Sequence, residues 1–421
     1  MTIVETFVPI RAVQRHAPAV GTWIERPWFL WAWMALWSAV HAGTALVSWH
    51  YVMTGASLLR SSARDGGLHL YAAHPELQMG PLTFLVVSPF RAVPEVLTGA
   101  VVALLIAATG PALLLVLPRL VDAPVSNRQR ALAAVVLLPV WAELGVHYVH
   151  LDDALALVLL VAAMLAVTRQ RPVVAALLLA ASADAKPWAV AFVPLLLALP
   201  RERWARTLGT WAGGLAVAWL PFLLADPGTV HAGRFAIPND ASSSLRALGI
   251  TASGTPMWDR PVQVLLGVAL AVVAARRGRW LAVPAVVLSV RMLLDPATYP
   301  YYGAGLVLAT VLVDLGVRRT RWPWLSTVVV AGTYVVRHLG PLTPTDPQLG
   351  VLRAVVTVAV LAVALGPDPG AVVRRLVAVV QTRRLIAVVR RRPQPAEAPR
   401  ISTPICSASS TRSAWSRDWE E

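Results

Sequence analysis

Apolar residues along this chain come in long blocks separated by short arginine-rich or near-neutral stretches. Trp28–Tyr51, Leu97–Leu117, Ala131–His147, Ala154–Val167, Trp211–Leu224, Val262–Ala275, Trp280–Leu294, Gly303–Val317, Trp324–Val336 and Val351–Leu365 carry almost no charge. A bilayer span needs roughly 20 apolar residues, with about 17 at the lower end, so several of these runs are short. Short runs suit a bundle whose helices are shielded by neighbours or broken at a site. The interior of a soluble domain cannot absorb so many blocks, and the pattern predicts an all-α, polytopic transmembrane helix bundle.

The polar stretches between the blocks alternate in character. Arg11, Arg15 and Arg26 precede the first block. Arg128 and Arg130, Arg169 and Arg171, Arg201–Arg206, Arg276–Arg279, Arg318–Arg321 and Arg374–Arg392 follow further along. Between these clusters lie near-neutral loops at 52–80, 225–260, 295–302 and 340–349. Arg-rich loops alternating with Arg-poor ones are the positive-inside pattern. It predicts about twelve spans of the plasma membrane with both termini cytoplasmic.

Composition agrees. Of 421 residues, 57% are hydrophobic and only 14% charged, where a soluble domain carries about 25% charged residues; the mean hydropathy is +0.62. The net charge of +15 follows the topology, so it reads as contact with anionic membrane lipids and excludes nucleic acid as the implied partner. The lone cysteine, Cys406, excludes a disulfide framework. The N-terminal stretch 1–27 lacks the pattern of a cleaved signal and reads as cytoplasmic, with Trp28–Tyr51 as an uncleaved first helix. The transmembrane domain occupies 28–366, a basic amphipathic stretch at 367–392 belongs on the inner membrane surface, and the Pro/Ser/Thr-rich 393–421 reads as disordered.

Residues 172–200 are too long for one span and short for two, with a polar middle at Ala181–Pro187. Two short helices meeting near the outer face at Asp184–Pro187 resolve this, and a broken helix at membrane depth is tolerated only where it lines protein or a wet cavity. Pro81–Phe90 is apolar but too short to cross and is expected along the interface. No internal repeat is visible.

Charges near the membrane on the outer side are costly unless paired or hydrated. Four groups qualify: Asp65 with His69, His74 and Glu76; His147, His150, Asp152 and Asp153; Asp184 with Lys186; and Arg291 with Asp295, Tyr299 and Tyr301. All fall at outer span ends, as one outward-facing site requires. Each has a plainer reading. Asp65 can be a solvated turn residue before Gly66-Gly67, and Asp152 or Asp153 can cap the following helix. Lys186 can snorkel to headgroups. The His/Asp group can hold a divalent cation, although its spacing fixes no tetrahedral arrangement. Arg291 needs an anionic partner, either Asp295 or a ligand phosphate.

The run His150-Leu151-Asp152-Asp153, an apolar helix, Arg169–Pro172, a second apolar stretch, Lys186-Pro187, and a third stretch ending in Arg201-Glu202-Arg203-Trp204 resembles the polyprenol-phosphate-mannose-dependent mannosyltransferases. These are GT-C-type glycosyltransferases of actinobacteria that build mannosylated envelope lipids. Leu68–Pro89, with Leu70-Tyr71 and Ser88-Pro89, looks like the family's first outer loop and following helix. Asn239–Leu248 resembles its Asn/Ser-containing outer loop, and Asp295–Tyr302 its Pro/aromatic segment. The likeness spans about residues 28–366. It departs where the family carries its catalytic carboxylate: the matching stretch here is Ser48-Trp49-His50-Tyr51, and the nearest carboxylates are Asp65 and then Glu76.

The resemblance implies a GT-C-like fold and transfer of a sugar, mannose in the family, from a polyprenyl-phosphate donor to a lipid or glycan acceptor at the outer face. In that scheme Asp65, with Glu76 in reserve, takes the acceptor's proton. Lys186 and Arg291 hold the phosphate, Tyr299 and Tyr301 face sugar or prenyl chain, and His74, His150, Asp152 and Asp153 line the substrate. No cofactor is required, and a divalent cation is the lesser alternative. Two other classes fit the same residues: a transporter or flippase of a lipid-linked or anionic substrate, and a non-catalytic protein of envelope assembly.

Overall fold

The computed structural model describes residues 23–43, 47–121 and 124–367. Residues 1–22, all but the first residue of the expected amphipathic stretch 367–392, and the terminal segment 393–421 lie outside them. Contacts group the chain up to Gly366 into one unit.

The architecture is helical, with no strand among the described residues and one isolated bridge, Pro238 to Gly254. The principal helices are α1 (Trp28–Val40), α2 (Val47–Leu59), α3 (Pro81–Val87), α4 (Glu95–Val116), α5 (Asn127–Ala142), α6 (Leu151–Thr168) and α7 (Pro172–Ala185). A 3₁₀ segment, Pro187–Ala198, follows α7. Then come α8 (Trp204–Ala225), α9 (Asp259–Arg276), α10 (Val283–Leu294), α11 (Tyr302–Leu312), α12 (Trp324–Thr333) and α13 (Asp346–Leu365). With their adjoining turns, five helical stretches are long and apolar enough to cross a bilayer: Glu95–Arg119, Asn127–His147, Leu151–Thr168, Arg201–Ala225 and Asp346–Leu365. Shorter apolar helices accompany them, including Pro81–Phe90 and Tyr302–Val317.

Local sequence explains where the long helices begin. Ser126 accepts from the Gln129 amide at 3.2 Å while the Gln129 side chain returns to the Ser126 N–H at 2.9 Å, closing a capping box at the start of α5. Thr345 and Gln348 repeat the device at α13. Apolar faces are divided between protein and surroundings. In α5, 72% of the apolar window is buried, whereas in α8 only 6% is, and Val217 and Leu224 there are 79% and 75% exposed. A long apolar helix with so little protein cover presents the kind of exposed apolar surface that marks a membrane or protein interaction site.

Two expectations need correction. The run Trp28–Tyr51 is not one helix. It divides between α1 and α2, and Gly43, at φ +107, takes a left-handed conformation after α1 that glycine alone adopts without strain. Nor does Asp152 or Asp153 cap α6: the N-cap position belongs to His150, whose side chain makes no capping bond, and both carboxylates turn to other partners. By contrast, the expected break between Arg171 and Arg201 is present. α7 ends at Ala185, Lys186 is extended, and the chain continues as 3₁₀ helix for 12 residues. Such runs rarely exceed 3–4 residues. Here Pro187 and Pro194 lack the N–H groups that an α-helical ladder uses.

The 52–80 loop and the start of α3 rest on this break. The Gly80 N–H donates to Ala185 O at 3.0 Å, and Thr83 Oγ1 donates to the same oxygen at 3.1 Å. A Cβ on Gly80 would meet the Asp184 carbonyl oxygen at 1.4 Å. We therefore expect Gly80→Ala to lower stability by about 1–3 kcal/mol through overpacking against backbone. Gly209→Ala on exposed α8, where nothing lies within 4 Å, should be neutral or stabilise by up to about 1 kcal/mol. Thermal unfolding of the two variants in the same detergent checks the contrast.

Candidate functional site

Three of the four expected groups meet in the structure. Asp152 and Asp153 sit in the first turn of α6 and are 0% and 5% exposed. His150 Nδ1 lies 2.5 Å from Asp152 Oδ1 and 3.0 Å from Asp153 Oδ2. Lys186, at the break after α7, places its ammonium on Asp152 and 3.5 Å from Asp153. Trp188 Nε1 donates to Asp153 at 3.3 Å. From the end of α10, Arg291 reaches Asp153 at 3.6 Å and Asp295 at 3.5 Å. Its guanidinium also lies 4.3 Å from the Trp188 ring centre and 4.2 Å from that of Tyr302, both cation–π distances.

Aromatic rings close the cluster on the α11 side. The His150 ring stacks on Tyr301 with centroids 4.0 Å apart, and Tyr301 stacks on Tyr299 at 5.5 Å. Tyr301 is buried, while Tyr299 is exposed at the rim. The loop carrying these tyrosines is clamped from the 225–260 loop. Thr298 Oγ1 donates to Asp240 at 2.5 Å, the Asp240 N–H donates to Pro296 O at 2.9 Å, and Asn239 donates to Ile250 O and Ala252 O at 3.0 Å each. Burial pushes the Asp240 carboxyl up, but the bonds from Thr298 and Ser242 outweigh it and hold it below the ordinary value. The two loops singled out in the sequence, Asn239–Leu248 and Asp295–Tyr302, thus form one unit.

Asp65 and its neighbours form a separate group. His74 stands between Asp65 at 3.6 Å and Glu76 at 3.2 Å, and all three reach solvent. His69 turns away to Asp226 at 3.3 Å. Among the described residues neither Asp65 nor Glu76 bonds to Lys186 or Arg291. The group is tied to the cluster through the backbone: Tyr71 OH donates to Met79 O at 2.9 Å, one residue before the Gly80–Ala185 contact. His147 packs on Tyr148 and His41 instead of on the carboxylates.

Charge decides what the central cluster can do. Three carboxylates (Asp152, Asp153, Asp295) face two permanent cations (Lys186, Arg291), so no positive charge stands free. Lys186 and Arg291, the expected phosphate holders, both stand in contact with carboxylates. One donor atom from each of His150, Asp152 and Asp153 lies within 4.8 Å of the others, which is a reach a metal could use. The Lys186 ammonium already occupies those carboxylates and supplies the compensating charge.

Residues that sequence reasoning missed lie inside apolar runs. Glu143 is 4% exposed, with Oε2 lacking a hydrogen-bond partner, on a π-turn Glu143–His147 that ends α5. π-Turns inside helices recur at functional sites. Val149 follows at φ +48, a left-handed conformation that costs a β-branched residue about 1–3 kcal/mol, immediately before His150. Arg353, 5% exposed on α13, has Nε and Nη2 without partners. Glutamate and arginine inside an apolar run were the available signal.

No family model, no curated protein and no solved structure matches the chain.

Removing one member of a buried ion pair leaves the other uncompensated, at about 3–5 kcal/mol. Lys186→Met should therefore destabilise by that amount, and adding Asp152→Asn should recover most of it. A double-mutant cycle on chemical unfolding measures the coupling, and additive losses would dissolve the pair.

Proposed function

We propose that this chain is a membrane glycosyltransferase that moves a sugar, mannose by its resemblance, from a polyprenyl-phosphate donor to a lipid or glycan acceptor. The observation that carries the reading is a polar cluster beside an apolar groove at the break after α7. Lys186 belongs to the charged cluster. Its neighbours Ala183, Pro187 and Val190 line a groove of about 470 Å³ whose other wall is Leu215, Ala216, Trp219, Leu220 and Leu223 of α8. That wall belongs to the helix with the least protein cover. A substrate with a charged head and a long apolar tail fits this pairing, with the tail entering sideways from lipid and the head meeting Lys186.

In this reading the chain crosses the plasma membrane about twelve times in a GT-C-like bundle, with both termini cytoplasmic and the cluster at the outer face. Lipid-linked donors suit that face because nucleotide sugars are absent there. Asp65 takes the acceptor hydroxyl's proton, assisted by His74 and Glu76, as the anomeric carbon is attacked. Carbon–oxygen cleavage releases the polyprenyl phosphate, and Lys186, exchanging Asp152 for the leaving phosphate, stabilises its charge. The exposure of Asp65, and its connection through Tyr71 and Gly80 to the Lys186 break, support that division of roles.

A transporter of the same substrates draws on one specific observation, the closed Lys186–Asp152 pair at a broken helix, which is the usual construction of a coupled binding site. One experiment separates the two. Purified protein in proteoliposomes is given radiolabelled polyprenyl-phospho-mannose and a mannose-accepting envelope lipid fraction. Transfer of label to the acceptor is expected, falling about 10²-fold or more in Asp65→Asn. In Val190→Trp, which fills the groove, KM should rise for long-chain donors and not for short-chain ones. Movement of label between leaflets without transfer would establish the transporter instead, and neither outcome would leave a non-catalytic role.

A further inference from the structure

Arg353 is a buried cation without a counter-ion in contact. It projects from α13 at 5% exposure, and its Nε and Nη2 have no hydrogen-bond partner among the described residues. Leaving a guanidinium in this state is costly, and the buried Asp152 and Asp153 show the usual remedy, an opposite charge in contact. The nearest carboxylate by electrostatic influence is Asp295, but its oxygens are committed to Arg291 and to the Ala297 N–H.

Arg353 lines a pocket with Arg337, Thr333, Gly332, Gly303 and Tyr299. Two guanidiniums and no carboxylate face it. Arg337 donates one bond, to Thr298 O at 2.8 Å, and is in no contact ion pair among the described residues. Its surrounding acids, Glu143, Asp240 and Asp346, act on it from beyond contact distance. The pocket's free volume is about 20 Å³, room for about one water, so a larger anion has to sit at its mouth. The glycines keep the walls close: a Cβ on Gly332 would meet Val356 at 2.7 Å. None of His150, Asp152, Asp153, Lys186 and Arg291 contributes to the lining.

We propose that Arg353 and Arg337 form an anion site for a phosphate group, distinct from the Lys186 cluster. Two positive charges match the roughly −1.5 to −2 of a phosphate monoester, and the guanidinium fork suits its oxygens bidentately. Tyr299, half exposed, lines the same pocket. The assignment does not depend on the glycosyltransferase reading, because it rests on the unpaired cation and the lining alone. The phosphate can be free or carried by a lipid headgroup.

The test uses full-length protein in phosphatidylcholine nanodiscs. Equilibrium binding of radiolabelled inorganic phosphate is measured at fixed ionic strength. In parallel, native mass spectrometry reads retention of dioleoyl phosphatidic acid against phosphatidylcholine. Saturable phosphate binding at one site per chain identifies a free-phosphate site; selective retention of phosphatidic acid without it identifies a headgroup site. In either arm Arg353→Gln should weaken binding about tenfold or more, and Arg353→Lys less, since it keeps the charge and loses the fork. No saturable phosphate and no selective lipid in the wild-type protein would overturn the proposal without recourse to any variant. Binding unchanged in a folded Arg353→Gln would overturn it as well.

Discussion

Charge buried where water cannot reach must be neutralised within a few ångströms, and this constraint organises one end of the bundle. Asp152 and Asp153 are nearly inaccessible, so their position on α6 is tolerable only because α7 stops and Lys186 arrives. Arg291 then compensates the second carboxylate from α10, Trp188 and Tyr302 sandwich its guanidinium, and the 295–302 loop must hold Asp295 in place. The tight contact of Gly80 with the Asp184–Ala185 backbone belongs to the same chain of requirements. Break, loop and cation are parts of one solution.

Much of this was legible in the sequence because it is periodic or costly. The polar interruption Ala181–Pro187 within apolar surroundings announced the break, and the charges at span ends announced the cluster. Association of Lys186 and Arg291 with the Asp152–Asp153 pair follows from electrostatics once three helix ends are neighbours. What the sequence left hidden has physical reasons too. Asp152 and Asp153 read as helix caps because capping is a local rule, whereas a lysine from another helix is a non-local competitor that takes both carboxylates. Trp28–Tyr51 read as one span because Gly43 alone does not reveal whether a helix continues through it. Glu143 and Arg353 are hidden in the sequence because surroundings dominated by valine, leucine and alanine conceal a single charge.

The cluster and the orphan cation are opposite cases of one accounting. Around Lys186 every charge has a partner in contact. Around Arg353 no partner is in contact among the described residues, which leaves the attraction unspent.

The 3₁₀ segment has a geometric consequence for the groove beside it. With three residues per turn, side chains three apart lie directly above one another. Pro187 and Val190, both on the groove wall, belong to such a row, which Val193 and Leu196 extend. In an α-helix the same positions would swing by about 60° per step and the row would spiral away. The tighter winding also climbs about 2.0 Å per residue instead of about 1.5 Å, so 12 residues reach about 24 Å. The result is a straight row of side chains that starts beside Lys186, with its first two members on the groove wall and its last, Leu196, buried in the core.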